Sequence, residues 1–355
     1  MSFDPPAPGV PLAPLTTLGV GGAARWFARA ASAADVAAAQ AWADARRLPL
    51  FVLGGGSNLV LADEGFDGLV LQVALSGVST TQRDGDSLVR AGAGEPWDAV
   101  VAISVERRLA GIECLSGIPG TVGGTPIQNV GAYGQEVATV IEFVTAFDRR
   151  ERETIVLAAS ECGFAYRMSR FKAQDAGRFV VCEVTFRLRP GSPTVAYPDV
   201  IEYVSRQGIS SPEVGHVRAA VLAIRRRKGM VIDAGDPDTR SVGSFFMNPV
   251  VDRAVWERIA PHAPHFMMDN DSVKIPAAWL IEQSGFARGH VDGRAGVSTK
   301  HPLAIINRGG ATARDVIRLA RRIKAAVSDR FGITLRPEPV FVGFDDDADV
   351  QYLRG

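Results

Sequence analysis

Cysteine, paired histidine and excess charge are all scarce in this chain. Its three cysteines (Cys114, Cys162, Cys182) are odd in number and show no C-x-x-C spacing, which argues against a disulfide framework or a structural zinc site. Of the five histidines only His262 and His265 are closely spaced, three apart. His262 and His265, beside prolines, read as loop residues, and no metal site is expected. Lys plus Arg (39) equals Asp plus Glu (39), so net charge gives no reason to expect a nucleic-acid partner. No apolar run is long enough to cross a bilayer, and MSFDPPAPGVPLAPL lacks the basic segment and apolar core of a signal peptide. A cytoplasmic protein with no membrane partner is expected. A G-x-x-x-x-G-K-[ST] phosphate loop is also missing.

What is present is an ordinary globular composition, 46% hydrophobic and 22% charged over 355 residues, enough for two or three domains. Helix signals stand at Ser32–Asp35, where a capping-box-like start leads an alanine-rich run to about Arg47, and at Pro96, ahead of Val100, Val101 and Val105. Ser211-Pro212 reads as an N-cap with proline in the first turn, before Val214, Val217, Val221 and Ile224. Thr312–Asp315 opens a helix with Val316, Leu319, Ile323 and Val327 on one side and Gly332 beyond its end. A short strand is read at 50–53, and between about 64 and 190 come short β-rich runs at 68–73, 87–90, 140–147, 154–157 and 179–188. The expected class is α+β, with a first region over 1–205 (subdomains about 1–65 and 66–205), an α/β unit over 212–331, and a tail over 332–355. That tail is read as strand-like pieces ending in a solvated acidic turn, Asp345–Asp347.

Glycine is concentrated in motifs. Gly19-Val-Gly-Gly-Ala-Ala24 fits G-x-G-x-x-A literally, but Arg25–Ala28 reads as strand, and the acid some twenty residues on, Asp44, lies inside the alanine-rich helix. Both features argue against a Rossmann fingerprint. Gly54-Gly-Gly-Ser-Asn58 sits between two short apolar runs and suits either a hairpin turn or a bare backbone that holds a phosphate. Leu115–Gly124 and Gln128–Gly134 spend much glycine while staying nearly apolar (Ile118, Pro119, Val122, Ile127), more like a ligand-hugging path than a surface loop.

Gly54–Asn58, Gly117-Ile-Pro-Gly-Thr-Val-Gly-Gly124 and Asn129-Val-Gly-Ala-Tyr-Gly134 resemble the flavin-binding segments of the UDP-N-acetylenolpyruvoylglucosamine reductases. Tyr166–Lys172, Gly243–Pro249, Ala277–Gln283, Ser298–Lys300, Ile305–Asn307 and Leu335–Glu338 continue the resemblance in order, so that it spans Leu15 to Gly343. It implies a flavin-binding fold of the vanillyl-alcohol-oxidase type plus a separate α/β substrate domain. It further implies non-covalent FAD, NADPH as co-substrate, and reduction of the enolpyruvyl ether of a UDP-sugar to the lactyl ether of UDP-N-acetylmuramate for peptidoglycan. FAD contacts are implied for Gly54, Gly55, Gly56, Ser57 and Asn58; for Gly117, Pro119, Gly120, Thr121, Gly123 and Gly124; and for Asn129, Gly131, Ala132 and Tyr133. A monomer is expected.

Such a reduction needs a hydride source, an acid for the other carbon, and positive charge or donors for the developing enolate. The resemblance makes Ser244 the proton donor, Arg167 the enolate partner and Glu338 the third catalytic residue. Taken alone they read as a serine packed beside Phe245 and Phe246, a surface arginine in a basic run, and a solvated acid. Tyr197 matches the tyrosine loop of one family subtype, Lys228 a lysine near the UDP diphosphate (or a plain helix C-terminus), and Asn248 a further substrate contact. Met247 stands where some relatives carry lysine, and His301 and Pro302 also depart from the pattern. The alternatives are a related flavin-dependent oxidase of a small alcohol or sugar, for which Cys114 would be a candidate attachment point, and a non-catalytic nucleotide-binding module.

Overall fold

The computed structural model describes residues 3–259, 262–268 and 271–355. The chain forms two compact units, each assembled from separated stretches: unit 1 from Met1–Val10, Ala24–Gly55 and Asp67–Val231, unit 2 from Pro11–Ala23, Gly56–Phe66 and Ile232–Gly355.

Unit 1 holds two larger sheets. The first is four-stranded, in the order Ala7–Pro11, Ala23–Ala30, Phe66–Val73, Leu50–Leu53, with the last pair parallel. The second is antiparallel, in the order Glu153–Ala158, Ile141–Asp148, Phe179–Pro190, Asp86–Gly92, Val78–Arg83, with Leu109–Ala110 on the far end of the central strand. Its middle strand is apolar through Phe179–Cys182 and then alternates, with Glu183, Thr185, Arg187 and Arg189 on one face. Helix α1 (Ala33–Ala45) starts where Ser32 Oγ accepts from Asp35 N–H at 3.1 Å, and α2 (Trp97–Glu106) follows Pro96. A short α3 (Gly124–Gln128), α4 (Pro198–Arg206) and α5 (Val214–Arg227) complete the unit. Leu69, Trp97, Val144 and Phe186 share one buried core, and Val200 and Val204 of α4 pack on Val217, Val221 and Ile224 of α5 in a second.

That second core explains why the division differs from the expected one. The sequence groups the 214–227 helix with a domain beginning at 212, but its apolar stripe is buried within unit 1. It also starts later than expected. Glu213 is the N-cap and its N–H is taken by His216 Nδ1 at 3.0 Å, so Ser211-Pro212 lies outside the helix.

Unit 2 contains α6 (Arg253–Ile259), α7 (Ala277–Gln283), α8 (Ala313–Phe331) and α9 (Ala348–Arg354). The expected capping box closes α8: Thr312 Oγ1 accepts from Asp315 N–H (3.1 Å), Asp315 Oδ2 accepts from Thr312 N–H (3.0 Å), and Gly332 ends the helix at φ +66°. The strand Leu59–Leu61 runs parallel to Val340–Val342. In the tail, Asp347 is not merely solvated. It accepts from Val350 N–H at 2.9 Å to cap α9 and pairs with Arg314 at 2.6 Å.

Candidate active site

In unit 1, Gly54 and Gly55 close against the second glycine loop. A Cβ on Gly55 would stand 2.6 Å from Gly120 Cα and 3.0 Å from Thr121 N, and one on Gly54 would stand 3.1 Å from Thr121 Oγ1. Neither residue has positive φ, so these glycines are needed for close approach rather than for unusual angles; Gly117 (+70°) and Gly120 (+114°), on either side of Pro119, are left-handed. The loop is bracketed by backbone bonds from Val122 N–H to Glu95 O (2.9 Å) and Gly123 N–H to Ala93 O (2.9 Å).

Beside this junction lies a cleft of ≈ 380 Å³ lined by Gly54, Gly55, Gly94, Glu95, Thr121 and Arg29, among others. Thr121 Oγ1 is buried there and has no hydrogen-bond partner among the described residues. An orphaned hydroxyl, bare glycine backbone and a cation at the rim form a donor set that fits the pyrophosphate of a dinucleotide such as FAD.

The third glycine segment is a tight hairpin. Gly131–Ala132 pairs with Gln135–Glu136 around Tyr133 (φ +50°) and Gly134 (φ +85°), a two-residue turn with both φ values positive. Tyrosine in that conformation costs on the order of 1 kcal/mol. The strained turn puts the Tyr133 ring edge-on to Tyr197 (centroids 5.2 Å apart) and 6.0 Å from Lys228 Nζ. Tyr133 is thus grouped with the expected substrate residues and not only with the flavin segment. Burial raises its pKa, against the opposing charges of Arg225 and Lys228.

Arg225 completes this cluster and is inconspicuous in the sequence, where it is one of three consecutive arginines. Burial lowers its pKa; it hydrogen-bonds Tyr133, and Nη2 donates to Met230 O at 2.8 Å. Its buried Nε has no partner among the described residues. Lys228 is held by Asp199 at 3.0 Å, and Tyr197, the N-cap of α4, is 40% exposed with no hydrogen bond from its hydroxyl among the described residues. Two tyrosines, a lysine and an orphaned guanidinium N–H make a site for an anion.

Arg167 sits at φ +54° in a two-residue turn closed by Ala165 and Met168, with reciprocal bonds of 3.0 Å. Its guanidinium lies along the backbone of the flavin segment, donating to Gly131 O at 2.7 Å. Asn129, expected at the cofactor, is 1% exposed and left-handed at φ +45°. Its side chain is spent inside the protein, donating to Glu136 (3.0 Å) and Ala165 O (2.8 Å) and accepting from Ala138 N–H (3.2 Å).

In unit 2, Gly56 is packed so that a Cβ would stand 2.0 Å from Leu15 O, and Thr17 ties down Gly56 O and Ser57 O. Asn58 Nδ2 donates to Glu338 O at 3.2 Å and Asn58 O accepts from Val340 N–H at 3.0 Å. A short antiparallel pairing then joins Glu338 N–H to Phe245 O (2.8 Å) and Met247 N–H to Arg336 O (3.0 Å). Ser244 therefore stands at the end of that pairing, beside Glu338. It is half-buried ahead of the fully buried Phe245 and Phe246, and its hydroxyl makes no hydrogen bond among the described residues. Asn248 differs from expectation: its Oδ1 accepts from Ala277 N–H at 2.9 Å, capping α7. The literal G-x-G-x-x-A at Gly19 is also explained. A Cβ on Gly21 would meet Leu61 Cβ at 2.5 Å and one on Gly22 would meet Asp63 O at 2.3 Å, so these glycines serve chain packing.

Cys114 is 1% exposed, and burial pushes its thiol up to about 12; Cys162 is pushed up to about 11. Neither is a thiolate near pH 8, which leaves Cys114 unsuited to flavin attachment. Native protein is expected to leave an aromatic disulfide reagent unreacted over minutes at pH 8, with all three thiols reacting after denaturation. Rapid release of chromophore from the folded protein would contradict this.

Residues 24–152 match a family model described as an FAD binding domain, so the chain is a flavoprotein whose FAD-binding fold is the one expected. Residues 236–342 match the model of the UDP-N-acetylenolpyruvoylglucosamine reductase C-terminal domain. The chain is 49% identical over 351 residues to the UDP-N-acetylenolpyruvoylglucosamine reductase of Thermobifida fusca, covering 95% of this chain and 98% of that one. It is 47% identical over 357 residues to that of Mycobacterium tuberculosis, covering 95% of each. The crystal structure of the reductase from Thermus caldophilus matches with a TM-score of 0.65 at 27% identity, over 94% of this chain and 97% of that one. The chain belongs to the UDP-N-acetylenolpyruvoylglucosamine reductase family.

Proposed function

We propose that this chain reduces UDP-N-acetylenolpyruvoylglucosamine to UDP-N-acetylmuramate with NADPH, as a cytoplasmic monomer serving peptidoglycan synthesis and, through it, cell shape and division. The observation that carries the reading is the Phe245–Glu338 backbone pairing, which sets Ser244 beside Glu338, in a chain whose glycine loops form a dinucleotide cradle. Among the described residues no helix is long and apolar enough to cross a membrane. FAD, when bound, supplies the hydride drawn from NADPH. Gly54, Gly55 and Thr121 would hold its pyrophosphate.

Tyr133, Tyr197, Arg225 and Lys228 bind the diphosphate of the sugar nucleotide, the orphaned Arg225 N–H gaining an acceptor. With hydride added to the terminal carbon, charge spreads into the adjoining carboxylate, where Arg167 stabilises it. Ser244 gives its proton to the ether-bearing carbon, and Glu338, fixed beside it by the bond to Phe245 O, is the third catalytic residue. The test is direct. Purified protein should be yellow, release free FAD on denaturation, and consume one NADPH per lactyl ether formed. Colourless protein that binds no added FAD would end the reading.

Tyr197→Phe removes a hydroxyl that makes no hydrogen bond among the described residues, so fold stability is expected to be unchanged while the KM for the UDP-sugar rises. The loss is about 0.5–1.5 kcal/mol for a neutral hydrogen bond, and about twice that to a charged oxygen. Binding to a remote phosphate is mostly uniform, so kcat should move less than KM. Steady-state kinetics with each substrate varied checks this; a KM for the sugar equal to the parent's would remove Tyr197 from the site.

A further inference from the structure

The first turn of α2 grips the cofactor-facing loop at three points. Trp97 Nε1 donates to Leu115 O (3.1 Å), Trp97 N–H donates to Gly120 O (3.0 Å), and Asp98 Oδ1 accepts from Gly117 N–H (2.6 Å). The third point differs in kind, because the same carboxylate also takes both arms of Arg218, at 2.6 and 2.9 Å. Arg218 lies on α5, two helical turns before Arg225 and on the same face, and Lys228 caps that helix. Arg225 Nε in turn stands 3.6 Å from where a Gly117 Cβ would be. One carboxylate thus joins the loop that faces the dinucleotide to the helix that carries the sugar-nucleotide cations. The Arg218 side chain is 18% exposed and that of Asp98 39%, so the pair is shielded on one side and bidentate, unlike a solvated surface ion pair.

We propose that Asp98 is a positioning residue that sets Gly117 and α5 in one register, so that cofactor affinity and sugar-nucleotide affinity both depend on it. This rests on the function proposed above. Asp98→Asn keeps the shape but loses the charge and one acceptor. Its FAD dissociation constant, measured by flavin fluorescence with apoprotein, and its KM for the UDP-sugar are each expected to rise about tenfold, with kcat much less affected. Arg218→Gln leaves Gly117 N–H its carboxylate, so the sugar KM should rise while FAD affinity stays within about threefold. The double variant should have a sugar KM no worse than that of Asp98→Asn, because both act through one pair.

Parent-like FAD affinity and KM in Asp98→Asn, or additive effects in the double variant, would overturn the coupling. Should Asp98→Asn fail to fold, Arg218→Gln decides alone, and an unchanged sugar KM there sinks the proposal. Asp98→Glu, which keeps the charge, should recover part of both affinities; no recovery would make the role one of packing. A failure of the functional reading is distinguishable, since the unaltered protein would then neither take up FAD nor turn over the sugar nucleotide, and the coupling would fall with it.

Discussion

Ser244→Ala is expected to slow reduction of the UDP-sugar by about 10²–10⁴-fold, the usual contribution of a positioned general acid, or roughly 3–5 kcal/mol of barrier. The bleaching of flavin absorbance by NADPH needs no proton from this residue and should stay near the parent rate. Serine is a weak acid, but a developing carbanion is a strong base, so placement matters more than pKa. That placement comes from the backbone: Glu338 N–H to Phe245 O fixes the segment, and the buried Phe245 and Phe246 hold it from behind. No hydrogen bond from the Ser244 hydroxyl is lost among the described residues, so the melting temperature should barely move. Ser244→Cys should recover part of the rate, since a thiol can also donate. Anaerobic stopped-flow absorbance separates the bleaching by NADPH from the recovery on adding sugar. Equal slowing of both would make Ser244 a packing residue.

Gly55→Val is expected to give protein without bound FAD. Its Cβ would lie 2.6 Å from Gly120 Cα and 2.9 Å from Gly120 C, and neither atom is a side chain that can swing away. The two glycine loops must separate, and the cleft between Gly54, Gly55 and Thr121 opens with them. Flavin absorbance per protein should fall to near zero, with a lowered melting temperature. Gly124 supplies the contrast, because a Cβ there meets no protein atom within 4 Å. Gly124→Ala should melt like the parent, so any flavin loss in that variant would report contact with the cofactor itself. Full occupancy in Gly55→Val would mean the junction tolerates separation and does not shape the site.

Elements with local causes were legible in the sequence. The α8 capping box, the Ser32 cap and the strands at 66–73, 86–92, 141–148, 153–158 and 179–190 each rest on residues within a few positions of one another. The short helices 124–128, 198–206, 253–259, 277–283 and 348–354 were not legible, although Tyr197-Pro198 and Asp347 are start signals once their neighbours are known. The division into units was not legible at all. It depends on Leu59–Leu61 pairing with Val340–Val342 and on α5 burying its stripe against α4, and neither partner leaves a mark on the other's sequence. At the site, the glycine clusters were visible but not their separate reasons: approach for Gly55, left-handed backbone for Gly117, chain packing for Gly21. Asn129 could have been read differently, since asparagine is enriched among left-handed residues and such a position often turns its side chain to local backbone. Arg225 was hidden by Arg226 and Arg227, because only burial distinguishes the three.

The discontinuous make-up of unit 2 has a consequence for synthesis on the ribosome. Unit 1 has all its parts once residue 231 has emerged, whereas Leu59–Leu61 waits for Val340–Val342. Asn58 and Glu338, which hydrogen-bond, are 280 positions apart, a delay of roughly 15–55 s at ordinary elongation rates. Throughout that interval the strand has an unsatisfied edge and the apolar residues Val60 and Ala62 lack their core. A nascent chain stalled before residue 340 should therefore bind holdase chaperones through its 56–66 segment while its first unit is already protease-resistant.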